Sequence, residues 1–213
     1  MIEVLPTRKA NYLYYYFEKF TYEERSKVKY VIMDMSKSFR EVVNNCFPNA
    51  KIIADKFHVY RQFQWAMENV RKEVQKDFRK ERRIFFKKSR WLLLKKGKNL
   101  TADEKTQLEI MLSKSEKLRE AYELKEQFFK LTEEKIDKKE AIKEWIKLAL
   151  AYNLKQFNEL AEMIYRWYNP IKKGFETGLT NGYTEGINNK IKVVLVYRDS
   201  TDKKRIIYLG ANN

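Results

Sequence analysis

Apolar residues in the first sixty positions alternate between short runs and helical spacing. Residues 1–5, 28–33 and 50–54 are apolar runs rich in β-branched side chains, which is typical of buried strands. Between the last two runs, residues 36–45 carry apolar side chains on one helical face. A strand, a ten-residue helix and a second strand predict a βαβ unit with parallel strands and a right-handed crossover.

Most of the remaining chain has the spacing of amphipathic helices. The pattern predicts an aromatic-rich helix at 9–20 and a capping box at Thr21, with a second capping box at Thr101. Pro170 is expected to end the long helical stretch, with a loop and one last helix after it. The longer predicted segments are helices at 58–94, 102–131 and 138–168, a loop at 174–182, and a final helix at 183–194.

The charge balance points to a polyanionic partner. The 213 residues contain 45 Lys and Arg against 29 Asp and Glu, giving a net charge of +16. Such a surplus favours nucleic acid, although solvated helix faces or an acidic membrane surface are alternatives. We expect a cytoplasmic protein without a membrane segment, since no apolar run approaches ~20 residues and no signal peptide is visible. The single cysteine, Cys46, excludes internal disulfides and fits a reducing compartment.

Two aspartates follow the two predicted parallel strands. Asp34 and Asp55 each stand at the carboxyl end of a strand, where ligands bind in open α/β sheets. Two carboxylates brought together there form an anionic site that raises one pKa or binds a hard divalent cation. The alternative is that each aspartate caps the helix that follows it. These residue types alone leave the two interpretations evenly balanced.

Two further positions are candidates for the same chemistry. His58, the only histidine, lies three residues after Asp55, and the two would be one turn apart in a helix. Glu185, Asn189 and Lys192 would share the polar face of the last predicted helix, a combination that suits a metal and a phosphate backbone. A surface histidine and an ordinary amphipathic helix are the alternatives.

Basic tracts with neighbouring aromatic residues suggest contacts to a DNA backbone. The first tracts lie at 79–83 and 86–90, beside Phe85 and Trp91, and a solvated helix face is an equally reasonable interpretation of each. The candidate DNA-binding residues are Arg82, Arg83, Lys87, Lys88, Lys190 and Lys192.

Four motifs, taken in order, resemble the ISL3-type bacterial insertion-sequence transposases from residue 1 to about residue 193. The first two are Ile-Glu-Val-Leu-Pro-Thr-Arg at 2–8 and Val-Ile-Met-Asp-Met at 31–35. The third is the segment 47–59, which ends in Asp-Lys-Phe-His-Val at 55–59, and the fourth is the segment 180–192, which contains Asn-Gly-Tyr-Thr-Glu-Gly-Ile-Asn at 181–188. The last two are specific in this order and at this separation, with a long helical stretch between them.

The resemblance implies a helix-rich α/β fold: an incomplete RNase H-like domain with a large all-helical insertion. On this mapping residues 1–64 form the first part of the domain and residues 65–172 form the insertion. Residues 173–195 form the final helix, which carries the glutamate, and residues 196–213 form an aberrant tail that departs from the family pattern.

The resemblance also implies a DDE transposase that uses Mg²⁺ or Mn²⁺ in a two-metal site. Asp34 matches the second acid of the triad and Glu185 the last, so both are expected catalytic residues and metal ligands. Asp55, His58 and Asn189 are expected to support them. The implied reaction is phosphodiester hydrolysis and strand transfer on transposon-end DNA, with transposon ends and target DNA as partners and a possible homo-oligomer.

Two departures from the family lower the expected activity. The first is that the family's first aspartate and its zinc-binding and helix-turn-helix regions precede the position of Ile2. The second is that the residues after Lys192 do not fit the family pattern. We therefore expect a truncated and inactive copy. The alternatives are a non-catalytic basic remnant that binds DNA and a decayed gene product without a stable fold.

Overall fold

The computed structural model describes residues 2–5, 7–182, 186 and 207–210. The chain divides into two compact units: residues 1–56 together with 177–213, and residues 57–176. We call these the strand unit and the helical unit.

The strand unit contains two pairs of short strands. Strand β1 (Ile2–Leu5) pairs antiparallel with β4 (Ile207–Gly210), and β2 (Tyr30–Met33) pairs parallel with β3 (Lys51–Ala54). Helix α3 (Lys37–Cys46) connects the parallel strands. The predicted parallel βαβ unit is thus confirmed, whereas the RNase H-like domain itself stays a prediction.

Helices α1 (Ala10–Phe17) and α2 (Tyr22–Ser26) precede β2. The predicted capping box is confirmed: the Thr21 hydroxyl accepts from the Glu24 amide at 3.2 Å, and the Glu24 carboxylate accepts from the Thr21 amide at 2.8 Å. The first helix ends at Phe17, earlier than the predicted residue 20. The chain leaves the helix before residue 20 because Thr21 must adopt an extended conformation, at φ −62° and ψ 158°, to cap α2.

A small apolar core holds β1, α1 and α3 together. It contains Leu5, Leu13, Val42 and Cys46, all less than 5% exposed. Arg25 donates to the carbonyl of Cys46 at 2.9 Å. This bond satisfies a carbonyl in the last turn of α3, which has no intrahelical partner.

The helical unit is built around an aromatic core. The Phe63 ring stacks on Phe128 at 4.3 Å and contacts Trp145 at 5.2 Å and Phe157 at 6.4 Å between ring centroids. Short 3-10 helices lie at Gln75–Asp77 and Gly97–Asn99. The α-helices are α4 (Lys56–Val74), α5 (Lys80–Lys88), α6 (Arg90–Leu94), α7 (Ala102–Leu112), α8 (Glu116–Glu133), α9 (Lys138–Tyr152), α10 (Lys155–Arg166) and α11 (Tyr168–Thr177).

The predicted continuous helices at 58–94, 102–131 and 138–168 are wrong, because each is interrupted. Phe78 is extended (ψ 148°) and packs its ring 4.8 Å from Phe86. Ser115 is also extended and accepts from the Leu118 amide to start α8, and Asn153 is left-handed at φ 53° after α9. The helices on both sides of each break bury apolar residues, so the apolar periodicity continues across the break. Periodicity alone therefore does not show where one helix ends and the next begins.

Pro170 begins a helix rather than ending one. It is the third residue of α11, in the first turn, where an amide would lack an intrahelical acceptor. The preceding helix ends at Arg166, and Trp167 lies between the two helices. Residues 174–177, predicted as loop, are the last turn of α11.

Gly186 is the one residue of the predicted helix at 183–194 that the structure describes, and it is helical. Gly182, directly before the predicted start, is helical as well. Among the described helices, none is long and apolar enough to cross a membrane.

Candidate functional site

The carboxyl ends of β2 and β3 bring Asp34 and Asp55 to one edge of the parallel pair. Met33 is registered with Ala54, so the two aspartates occupy the next, equivalent positions. The Asp55 amide donates to the Met33 carbonyl at 2.9 Å, which extends the ladder to the residue after the strand. Neighbouring strands lie about 4.8 Å apart, so both carboxylates start from the same short edge.

The two aspartates have different surroundings. Asp34 is partly exposed, and its Oδ1 accepts from the Ser36 amide at 3.1 Å. The Ser36 hydroxyl, not Asp34, caps α3 by accepting from Phe39, so the interpretation of Asp34 as that helix's cap is wrong. Asp55 is 2% exposed and directly precedes α4.

Asn181 connects a distant segment to this edge. Its side-chain amide donates to the Ile32 carbonyl at 3.3 Å, two residues before Asp34. The two residues are 149 positions apart in the chain. Sequence reasoning used Asn181 only as part of a motif and missed this contact. The Asn-Gly pair that opens the 181–188 motif is the signal in the sequence that could have indicated it.

The other predicted site residues fall in two groups. His58 is half-buried in the first turn of α4, with its ring 5.7 Å from that of Phe57. Glu185, Asn189, Lys190 and Lys192 lie outside the described residues. Within the described part of the chain, no group of three or more His, Cys, Asp or Glu is arranged to hold a metal.

The basic tract of α5 is exposed to solvent. Arg82, Arg83, Lys87 and Lys88 are all exposed, and in the described structure none of the four makes an ion pair. The Arg82 guanidinium lies 5.2 Å from the centroid of the Phe78 ring. Lysine and arginine side chains held at a surface without acidic partners keep their charge available to an anion.

Positive charge is segregated within the helical unit. Residues 57–98 contain fourteen Lys and Arg against four Asp and Glu, whereas residues 99–176 contain fifteen of each. The helices after α6 pair their charges locally, as in Lys143 with Glu140 and Lys147 with Glu144. A merely solvated, highly charged surface would spread its surplus over all helices. Segregation therefore favours a surface for a polyanion, and it could have been found in the sequence.

Comparison with protein families assigns the chain. The model of the ISL3 family of DDE transposases, described as a transposase family, matches residues 1–196. The chain belongs to this family, which supports a function in DNA transposition. Comparison with curated proteins and with solved structures gave no match.

Proposed function

We propose that the chain provides the carboxylate edge of a DDE transposase site, with Asp34 and Glu185 as catalytic residues and metal ligands. The observation that carries this proposal is the hydrogen bond from Asn181 to Ile32 at the end of β2. Glu185 is four residues beyond Asn181, and four residues extend at most about 14 Å. The described start of the 181–188 motif therefore lies beside β2, which supports assigning Glu185 to the same site as Asp34.

The donor atoms fit a hard divalent cation. Mg²⁺ and Mn²⁺ prefer carboxylate oxygens, and Asp34 offers a partly exposed carboxylate whose Oδ1 accepts from Ser36. Asp55 would add a second carboxylate from the neighbouring strand, and Glu185 would complete the set. A pair of such ions activates the attacking oxygen and stabilises the leaving oxygen of a phosphodiester.

The protein's own residues would position the DNA. Positioning and charge neutralisation account for most of the catalysis of phosphoryl transfer. Asp55, His58 and Asn189 would hold the ligands in place, and Lys190 and Lys192 would contact the phosphates beside Glu185. The α5 cations Arg82, Arg83, Lys87 and Lys88 would bind phosphates of the DNA backbone. The proposed substrate class is transposon-end DNA, cut by hydrolysis and joined by strand transfer in an enzyme that also supplies the family's first aspartate.

Calorimetric titration with Mg²⁺ and Mn²⁺ tests the site in the 213-residue chain. We expect weak binding that Asp34→Ala and Glu185→Ala each abolish, because a carboxylate ligand is lost. Glu41→Ala, which removes an exposed carboxylate from α3, is the matched control and should bind metal as the wild type does. Metal-dependent nicking of a labelled transposon-end duplex, measured in the same variants, extends the test to the reaction. Unchanged metal binding in both site variants would contradict the assignment.

A non-catalytic DNA-binding protein is the second candidate, and the charge segregation at 57–98 favours it. Binding of this kind needs no carboxylate site. It predicts that the chain binds DNA equally with and without Mg²⁺, and that no nicking occurs under either condition. Asp34→Ala would then leave every measured property unchanged.

A further inference from the structure

Two of the four tryptophans are exposed on the basic part of the helical unit. Trp65 on α4 is 50% exposed and Trp91 on α6 is 43% exposed, whereas Trp145 and Trp167 are each 3% exposed. Both exposed rings belong to residues 57–98, which carry the positive surplus. Large aromatic side chains left in water beside cations are typical of binding surfaces.

Each exposed ring has a cation beside it. The Arg61 guanidinium lies 4.8 Å from the Trp65 ring centroid, and the Lys95 ammonium lies 5.6 Å from that of Trp91. Half of Trp65 remains accessible with Arg61 in place. A cation beside a ring could serve only to shield that ring from water. Shielding alone would not explain why both exposed rings lie within the segment that carries the positive surplus.

An ion pair links the two helices between the tryptophans. Glu68, three residues after Trp65, lies 4.0 Å from Arg90, which directly precedes Trp91. Residues three apart on a helix share a face, so Trp65 and Glu68 belong to one stripe of α4. The ion pair therefore brings the start of α6, which carries Trp91, next to α4, and α5 with its cations lies in the segment that connects the two helices.

The ligand that matches this surface is an unpaired DNA strand. Phosphates satisfy the cations, and bases freed from a duplex present flat faces that stack on aromatic rings. A fully paired duplex offers the same phosphates but keeps its base faces inside the stack. An acidic peptide would use the cations without needing two tryptophans.

We propose that α4 and α6 bind unpaired DNA by stacking bases on Trp65 and Trp91, while Arg61 and the α5 cations hold the backbone. The proposal rests on the DNA-processing function proposed above and adds the strand state that the protein recognises. Unpaired nucleotides arise where a duplex end is opened, so this surface would favour opened DNA over intact duplex.

Fluorescence anisotropy with three labelled oligonucleotides tests the proposal on the 213-residue chain: a duplex, the same duplex with a central unpaired bubble, and a single strand. The wild type should bind the bubble and the single strand more tightly than the duplex at one fixed salt concentration. Trp65→Ala and Trp91→Ala should each weaken binding to the unpaired substrates about tenfold and to the duplex less than twofold. Trp65→Phe should restore most of the loss, because a ring remains for stacking.

Tyr165→Ala is the matched control. Tyr165 is 73% exposed on α10, in the charge-balanced part of the unit, and its loss should change no affinity. Equal losses on duplex and unpaired DNA, or none on either, would overturn the stacking role while duplex binding still supports the proposed function. Failure of all three oligonucleotides to bind the wild type would overturn both. Thermal melting of each variant verifies that the exposed substitutions leave the fold intact.

Discussion

The side-chain amide of Asn181 donates a hydrogen bond of 3.3 Å to the backbone carbonyl of Ile32. Ile32 lies inside β2, two residues before Asp34, so the bond joins the segment after α11 to the strand that ends at the candidate site. The amide of Asn181 reaches a backbone group that β3 does not use.

Asn181→Ala should lower metal affinity about tenfold, because a residue that orients a ligand segment is lost. The free energy of unfolding should fall by about 1 kcal/mol. Asn49→Ala is the control, since Asn49 donates to the Ser26 carbonyl at 3.0 Å in the same unit. It should cost similar stability and leave metal binding unchanged. Calorimetry and urea unfolding measure the two effects, and equal metal affinities for both variants would refute the tether.

Neutralising the α5 cations should reduce the salt dependence of duplex binding. Each phosphate contact contributes about 0.9 to the slope of log K against log salt, so loss of all four should lower the slope by about 3 to 4. The substitutions are Arg82→Gln, Arg83→Gln, Lys87→Gln and Lys88→Gln, combined in one chain.

A control with four exposed lysines removed from the charge-balanced helices should keep the wild-type slope. Its substitutions are Lys139→Gln, Lys143→Gln, Lys147→Gln and Lys155→Gln. Equal slopes in the two quadruple variants would mean that binding follows net charge and not the α5 surface.

Lys125 is a buried cation on α8 that bonds to backbone carbonyls at the end of α6 and directly after it. It is fully buried, and its ammonium donates to the carbonyls of Leu93 and Lys95 at 2.7 and 2.9 Å and pairs with Glu126 at 2.8 Å. Lys125→Met would leave two carbonyls without their donor and Glu126 without its ion-pair partner, and should cost about 3 kcal/mol of unfolding free energy. Lys130→Met, on an exposed side chain of the same helix, should cost less than about 0.5 kcal/mol. Urea unfolding of both variants measures the difference.

Glu68 should stabilise the helical unit in a pH-dependent way. Its two oxygens accept from Arg71 at 2.7 and 2.8 Å, and this bonding holds the pKa of Glu68 below the usual 4.5. A lowered folded pKa means that the contribution is complete above about pH 4.5 and is lost as the pH falls through the folded value.

Glu68→Gln should therefore be less stable than the wild type at pH 7, by about 2 kcal/mol, and the gap should narrow toward pH 3. Thermal melting across that range measures it. Glu144→Gln, at a 65% exposed side chain, should show almost no gap at any pH. A constant gap for Glu68→Gln would show that the pair makes no pH-linked contribution.

Local patterns determined much of the secondary structure. The capping boxes at Thr21 and Thr101 depend on hydrogen bonds between residues three apart, and both were predicted and are present. The parallel strands around α3 follow from a short apolar run, a helix and a second run, which only a crossover connects. These features need no distant partner, so residue order alone specifies them.

The amino-acid order also determined the chemistry available to the chain. It sets the positive surplus of residues 57–98 and the strand-end positions of Asp34 and Asp55. The family motifs likewise follow from the order of residues, and the comparison confirms the family that they indicate. The roles of Asp34, Glu185 and their neighbours stay predictions, since Glu185 lies outside the described residues.

Only the tertiary structure decided where the long helical patterns break and which polar groups are buried. Phe78 leaves the helix to pack on Phe86, Lys125 finds carbonyls about thirty residues away, and Asn181 reaches Ile32 across the chain. The free energy of each contact depends on a partner that is remote in sequence. The apolar spacing is the same before and after such a break. The periodicity that predicts a helix therefore does not show where a contact with a distant residue interrupts it.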